Sequence, residues 1–165
     1  MSSEGSNILA EADDSGAGAD TREYVTATID GQLFGVPVLS VQDVLGPQRL
    51  ANIPLAPNEV AGALNLRGRI VTAIDLRRRL GLPAADKQAS MSIVVDHHGE
   101  LYSLLIDEVG EVLSVPSGSY ERNPPTLDSR WREVSGGIYR LDGNLMVILE
   151  VDRLLEFTKA VTIAA

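Results

Sequence analysis

Short apolar stretches, cut every few residues by glycine-containing turns, give this chain the rhythm of a β-rich protein. Val25, Ala27 and Ile29 alternate with Tyr24, Thr26 and Thr28, which predicts a half-buried strand. Asp30-Gly31 is a hairpin signal, and Leu33 to Val38 predicts the returning strand, which Pro37 confines to an edge or an interrupted ladder. Val38, Val41, Val44 and Leu45 have helix-like or bulged spacing, which predicts a brief turn before Gly46-Pro47. Gln48 to Glu59, with Pro54 and Pro57, predicts an irregular connection, and Val60 to Leu66 the next strand. The second half restarts with Met91 to Asp96, turns at His97-His98-Gly99 and returns through Leu101 to Ile106. Ser117 to Arg132, with Pro124-Pro125, predicts the longest irregular insertion. Ile138 to Leu141 and Leu145 to Leu149 predict a hairpin around Asp142-Gly143, and Val151 to Lys159 a C-terminal helix.

One unit organises this pattern. Gly68 permits a tight turn, Ile70 to Ile74 predicts a buried strand, and Asp75 N-caps a short helix that ends at Gly81 and Pro83. Gly143 to Leu155 repeats the unit at an offset of 75 residues, Gly68 matching Gly143 and Arg78 matching Arg153. Upstream, Gly31-Gln32-Leu33-Phe34 parallels Gly99-Glu100-Leu101-Tyr102, and Val41 to Leu45 parallels Val109 to Leu113, both at an offset of 68. Val60 to Leu64 parallels Val134 to Ile138 between these blocks. Three matches in the same order indicate an internal duplication.

Short connections and predominant strands favour two small barrels over a sandwich. The halves are expected at about residues 23–88 and 89–150, followed by the helix over about 151–159. Halves of this size have marginal cores of their own, so they are expected to share one and not to fold well apart. Residues 1–22 carry Glu4, Glu11, Asp13, Asp14 and Asp20 among Ser, Gly and Ala, and are expected to be a disordered acidic leader.

Composition narrows the function. With 4% aromatic residues in a chain that is 44% hydrophobic, the core must be mainly Val, Ile and Leu. The net charge of −9 argues against nucleic acid and anionic lipid as partners. The absence of cysteine rules out disulfides and thiolate chemistry. No apolar run reaches the length of a membrane span, and the N-terminus lacks a signal-peptide layout, so a cytoplasmic protein is expected.

Catalysis gains little support. Ser135-Gly136-Gly137 lacks the layout of a nucleophile turn, and Gly62 and Gly68 flank strand residues instead of opening a helix. His97-His98 reads as a polar turn with no metal role, because adjacent hairpin residues diverge and no second ligand cluster follows. Arg77-Arg78-Arg79 reads as a solvated helical face, while the repetition of Arg78 as Arg153 suggests a structural role for both. Arg67 and Asp43 lie among apolar neighbours, either as a structural ion pair fixing one loop to another or as two unrelated exposed charges. Val38, Val41, Val44, Val109, Val112 and Leu113 recur at equivalent places and either fill a shared core, the preferred reading, or line an apolar groove.

Val41-Gln42-Asp43-Val44, Gly62-Ala63-Leu64-Asn65-Leu66-Arg67-Gly68, Ile74-Asp75-Leu76-Arg77, Ile106-Asp107-Glu108-Val109 and Asp142-Gly143-Asn144-Leu145 together resemble the CheW family of chemotaxis scaffold proteins. The resemblance covers about Glu23 to Phe157. It implies a mainly all-β fold of two packed five-stranded SH3-like barrels, no enzymatic activity and no cofactor. It also implies two partners: the regulatory domain of a CheA-type histidine kinase and the cytoplasmic hairpin tip of a chemoreceptor. Carried over by position, the receptor groove maps to Val38, Val41, Gly62, Arg67, Val109 and Val112, and the kinase surface to Asp43, Val44, Leu45 and Gly62. Asp43 stands where the family usually has Glu, Ser103 where it often has Gly, and Ala61 where a longer residue is common. Two alternatives remain beside this reading: a CheW-like adaptor of a surface-motility or developmental pathway, and a small barrel that binds nucleic acid.

Overall fold

The computed structural model describes residues 20–85 and 91–160. Among these residues the chain forms β1 (Thr21–Ile29), β2 (Gln32–Pro37), β3 (Val41–Leu45), β4 (Val60–Leu66), β5 (Arg69–Asp75) and helix α1 (Leu76–Arg79). It continues with β6 (Met91–His97), β7 (Glu100–Ile106), β8 (Glu108–Pro116), α2 (Ser129–Val134), β9 (Ser135–Leu141), β10 (Asn144–Leu149) and α3 (Val151–Leu154). Two-residue turns join β1–β2, β4–β5, β6–β7 and β9–β10. In three of them both turn residues have positive φ: Asp30-Gly31, Arg67-Gly68 and His98-Gly99. This is the backbone a tight hairpin with right-handed twist requires. Asp75 caps α1 by accepting a hydrogen bond from the Arg78 N–H, as the repeat unit predicts.

The strands form two five-stranded sheets, ordered β8-β1-β2-β10-β9 and β3-β6-β7-β5-β4. Superposing the duplicated segments matches these orders strand for strand: β8 with β3, β1 with β6, β2 with β7, β10 with β5 and β9 with β4. The sheets do not follow the expected division into 23–88 and 89–150. Hairpin β1–β2 of the first copy completes the sheet of β8, β9 and β10, and hairpin β6–β7 of the second completes that of β3, β4 and β5. Parallel pairs β2–β10 and β5–β7 and antiparallel pairs β1–β8 and β3–β6 make the joins. The crossings are short. A 3-10 turn at Val38–Ser40 carries the chain from β2 into β3, and Asp107 alone separates β7 from β8. An exchange of hairpins between similar copies preserves every local pattern, which is why the sequence suggested one barrel per half.

The barrels do not close either. Each sheet keeps two edge strands, bridged by an isolated backbone pair: Ala51 with Ala63 next to β3 and β4, and Glu121 with Ile138 next to β8 and β9. At each crossing a glycine makes room. A Cβ on Gly62 would lie 2.6 Å from the Ala51 carbonyl oxygen, and one on Gly137 would lie 2.7 Å from that of Glu121.

Both faces of each sheet are buried. Val25, Phe34 and Val36 of one sheet and Ile93, Val95 and Leu104 of the other belong to a common central core that also takes in Trp131, Leu154 and Leu155. The intervening residues face smaller clusters, Tyr24, Tyr139 and Met146 behind the first sheet and Leu64, Val71 and Val94 behind the second. Alternation such as Ile93 inward, Val94 outward, Val95 inward therefore appears in sequence as an unbroken apolar run.

Several expectations shift. The leader through residue 19 lies outside the described residues, while Thr21 and Arg22 already belong to β1. The C-terminal helix is divided into α3 and a 3-10 turn at Glu156–Ala160. The insertion over 117–132 is not wholly irregular: α2 begins at Ser129, capped by Asp128, and sets Trp131 against Phe34 with ring centroids 5.6 Å apart. Ile70, expected in a buried strand, stands 69% exposed near a hairpin tip.

Residues 20–88 expressed alone contain three strands of one sheet and two of the other. Such a fragment is expected to lack cooperative thermal unfolding, and mixing it with residues 89–165 to restore it. Cooperative melting of the isolated fragment would contradict a core built by exchange.

Candidate functional site

The seam between the sheets is framed by the Val38–Ser40 turn and by β3 and β8, with β8 adjoining β6 across it. Val38, Val41 and Val109 are half-buried and pack against the central core. Each of these three valines therefore divides its surface between the core and the seam. The rim of the seam is apolar: Leu39 is 96% exposed, Val112 on β8 is 56% exposed, and Val44 on β3 is also exposed. Val44 and Val112 are duplicated positions, as are Leu45 and Leu113, which instead pack half-buried against the smaller clusters. The recurrent valines therefore divide between the core and groove readings. Leu39 was not legible in sequence, because a lone outward side chain on a three-residue turn leaves no periodic trace.

The other expected groove residues lie apart from this rim. Gly62 is buried in β4 against Leu50 and Ala51, at a φ of 152° that side chains disfavour. Arg67 sits at the β4–β5 turn with its side chain 74% exposed and places Nη2 2.5 Å from Asp43 Oδ2 on β3. Asp43, Val44 and Leu45 share strand β3, whereas Gly62 lies across the sheet on β4. The Arg67 guanidinium, followed by the Val44 N–H, holds the Asp43 carboxyl below the usual carboxylate range. Arg67 and Asp43 thus link the two edges of an open sheet. Arg140 of β9 and Glu121, 3.0 Å apart, do so in the other sheet.

The arginines after Asp75 are more committed than a solvated face. Arg77 donates to Asp107 through Nε at 3.1 Å and Nη2 at 2.6 Å. Asp107 Oδ2 also accepts the Asp30 N–H at 2.8 Å, so the β7–β8 crossing, the β1–β2 turn and α1 meet at one carboxylate. Arg77 holds Asp107 below its ordinary pKa, against the opposing effect of burial. Arg79 donates to the carbonyls of Arg153 and Leu154, tying α1 to α3. The matched pair Arg78 and Arg153 each donates to a main-chain carbonyl, that of Asn58 at 3.1 Å and that of Ser135 at 2.9 Å.

Arg67→Ala removes an exposed pair and is expected to change stability by less than about 0.5 kcal/mol. Arg77→Ala strips a half-buried carboxylate of its cation and is expected to cost about 2 kcal/mol in urea unfolding. Because the folded Asp107 pKa is lowered, its contribution is full above the unfolded value of about 4 and fades as pH falls through the folded one. The gap between wild type and Arg77→Ala should therefore narrow in acid. Equal effects of the two substitutions at neutral pH would contradict this assignment.

Comparison with known proteins agrees with this architecture. The model of the CheW-like domain matches residues 23–159. A probable chemotaxis protein CheW of Rhizobium etli is 29% identical over 140 residues, covering 84% of this chain and 90% of that protein. The chemotaxis protein CheW of Rhizobium meliloti is 27% identical over 132 residues, covering 79% and 85%. The crystal structure of the scaffolding protein TtCheW from Thermoanaerobacter tengcongensis is similar with a TM-score of 0.74 at 29% identity, over 83% of this chain and 94% of that one. The chain belongs to the CheW-like domain family.

Proposed function

From membership in that family, we propose that the protein is a non-enzymatic cytoplasmic adaptor that couples chemoreceptors to a CheA-type histidine kinase. The observation that carries this reading is the exposed apolar rim of Leu39, Val44 and Val112 on the elements that frame the inter-sheet seam. A helical receptor tip can lay apolar side chains along such a rim, with the rigid two-sheet body as its support. Val38, Val41 and Val109 back the surface from the core, while Arg67, on the β4–β5 turn away from the rim, supplies a second receptor contact and buried Gly62 only shapes the β4 backbone. The kinase regulatory domain takes the edge of that sheet, around Asp43, Val44 and Leu45 with Gly62 behind. Modest contacts suffice, because repeated engagement within a receptor array raises effective affinity. Among the described residues no helix is long and apolar enough to cross a membrane, so attachment to receptors accounts for recruitment to the membrane face.

Purified protein is expected to bind both a receptor cytoplasmic hairpin and a CheA regulatory domain in calorimetry. Arg67→Ala should weaken receptor binding several-fold, about 1 kcal/mol, with an unchanged melting temperature. Failure to bind either partner would refute the adaptor reading. Unfolding of Arg67→Ala would make Arg67 purely structural.

A further inference from the structure

We propose that His97, His98 and Asp152 form a binding site for a divalent transition-metal ion of the zinc class. The expectation of diverging histidines fails for a conformational reason. His97 ends β6, but His98 opens the turn at a φ of 53°. The left-handed step brings the two rings to a centroid separation of 4.1 Å, where an extended step would direct them to opposite faces. The missing third ligand comes from the far end of the sequence, since Asp152 lies on α3.

One donor atom from each residue lies within 4.8 Å of the other two. His97 Nδ1 and Asp152 Oδ1 are already 3.3 Å apart. Two ligands each about 2.0–2.1 Å from a tetrahedral ion stand roughly 3.3 Å apart, so this edge matches ligation. His98 is exposed, and its ring can close the remaining gap without disturbing the core. His97 and Asp152 differ in a useful way: the buried imidazole supplies a fixed ligand, and the 73% exposed carboxylate an adjustable one.

The three residues open onto a surface cleft of about 330 Å³, whose lining includes Asp96, Glu150 and Arg22. Two carboxylates against one guanidinium favour a cation there. Imidazole nitrogens with a carboxylate oxygen suit Zn²⁺ better than Mg²⁺ or Ca²⁺, and solvent can complete the coordination. Metal ligation requires an unprotonated imidazole nitrogen and an ionised carboxylate, so the ion competes with protons for these atoms. The bound ion would pin the β6–β7 hairpin of one sheet to the helix that follows β10 of the other.

Untagged full-length protein, stripped with a chelator, should be titrated with Zn²⁺ against a chromophoric competitor. We expect one ion per chain with a micromolar dissociation constant. His98→Ala and Asp152→Asn should each weaken binding about tenfold or more. His98→Ala should leave the metal-free melting temperature unchanged while abolishing the rise that Zn²⁺ produces in wild type. Co²⁺ should give a visible absorption spectrum of low-symmetry, four- or five-coordinate metal in wild type and lose it in His98→Ala. No binding up to about 100 µM Zn²⁺, or stoichiometric binding untouched by both substitutions, would overturn the site.

Discussion

Neither sheet of this protein can be assembled from one copy of its duplicated sequence. The dependence is reciprocal, because each copy contributes its first hairpin to the other and receives one in return. Each exchanged hairpin is consequently held on both sides by the other copy, β1–β2 between β8 and β10 and β6–β7 between β3 and β5. Parallel pairing needs long connections, and the chain supplies them: α1 and β6 lie between β5 and β7, and β3 to β9 lie between β2 and β10. Asp107 occupies the tightest point of this route. It accepts from Arg77 and from the β1–β2 turn, and so fixes the angle at which one sheet passes into the other.

The exchange also explains how surfaces are distributed. Hairpin residues such as Phe34 and Leu104 must bury their inward faces in one central core. What remains for partners lies at the edges: the apolar rim of the seam and the tethered margins of two open sheets. Arg67 with Asp43 and Arg140 with Glu121 hold those margins by exposed ion pairs, which add little stability but set the position of a loop. Surface contacts can then be altered by substitution at the margins while the core stays unchanged. That separation is consistent with a protein of the CheW-like domain family.

Much of the fold was legible in the sequence. Most strand positions, the four Gly-containing turns and the duplication follow from apolar runs and from repeated blocks such as Gly68 to Leu80. Val41 to Leu45, however, expected as a brief turn, forms β3, and its copy Val109 to Leu113 lies in β8. The exchange was not legible, because both copies present the same pattern to either partner. Within the candidate site, the Asp43–Arg67 contact could be suggested from two charges set among apolar residues, while the half-burial of Val38, Val41 and Val109 depends on how the two sheets meet at the central core. Ile70 misled because its β-branched run looks buried, although the strand begins beyond the core. The closeness of the His97 and His98 rings, and of His97 to Asp152, was not legible, because both depend on turn geometry and on where α3 lies in the folded chain.

Native-state hydrogen exchange tests the central claim most directly. If each sheet is completed by the other copy, the slowest amides of β2 and β10 and those of β5 and β7 should exchange with one common opening free energy, equal to that of global unfolding. Sub-global opening of one complete sheet, with the other still protected, would show two independent units and contradict the account.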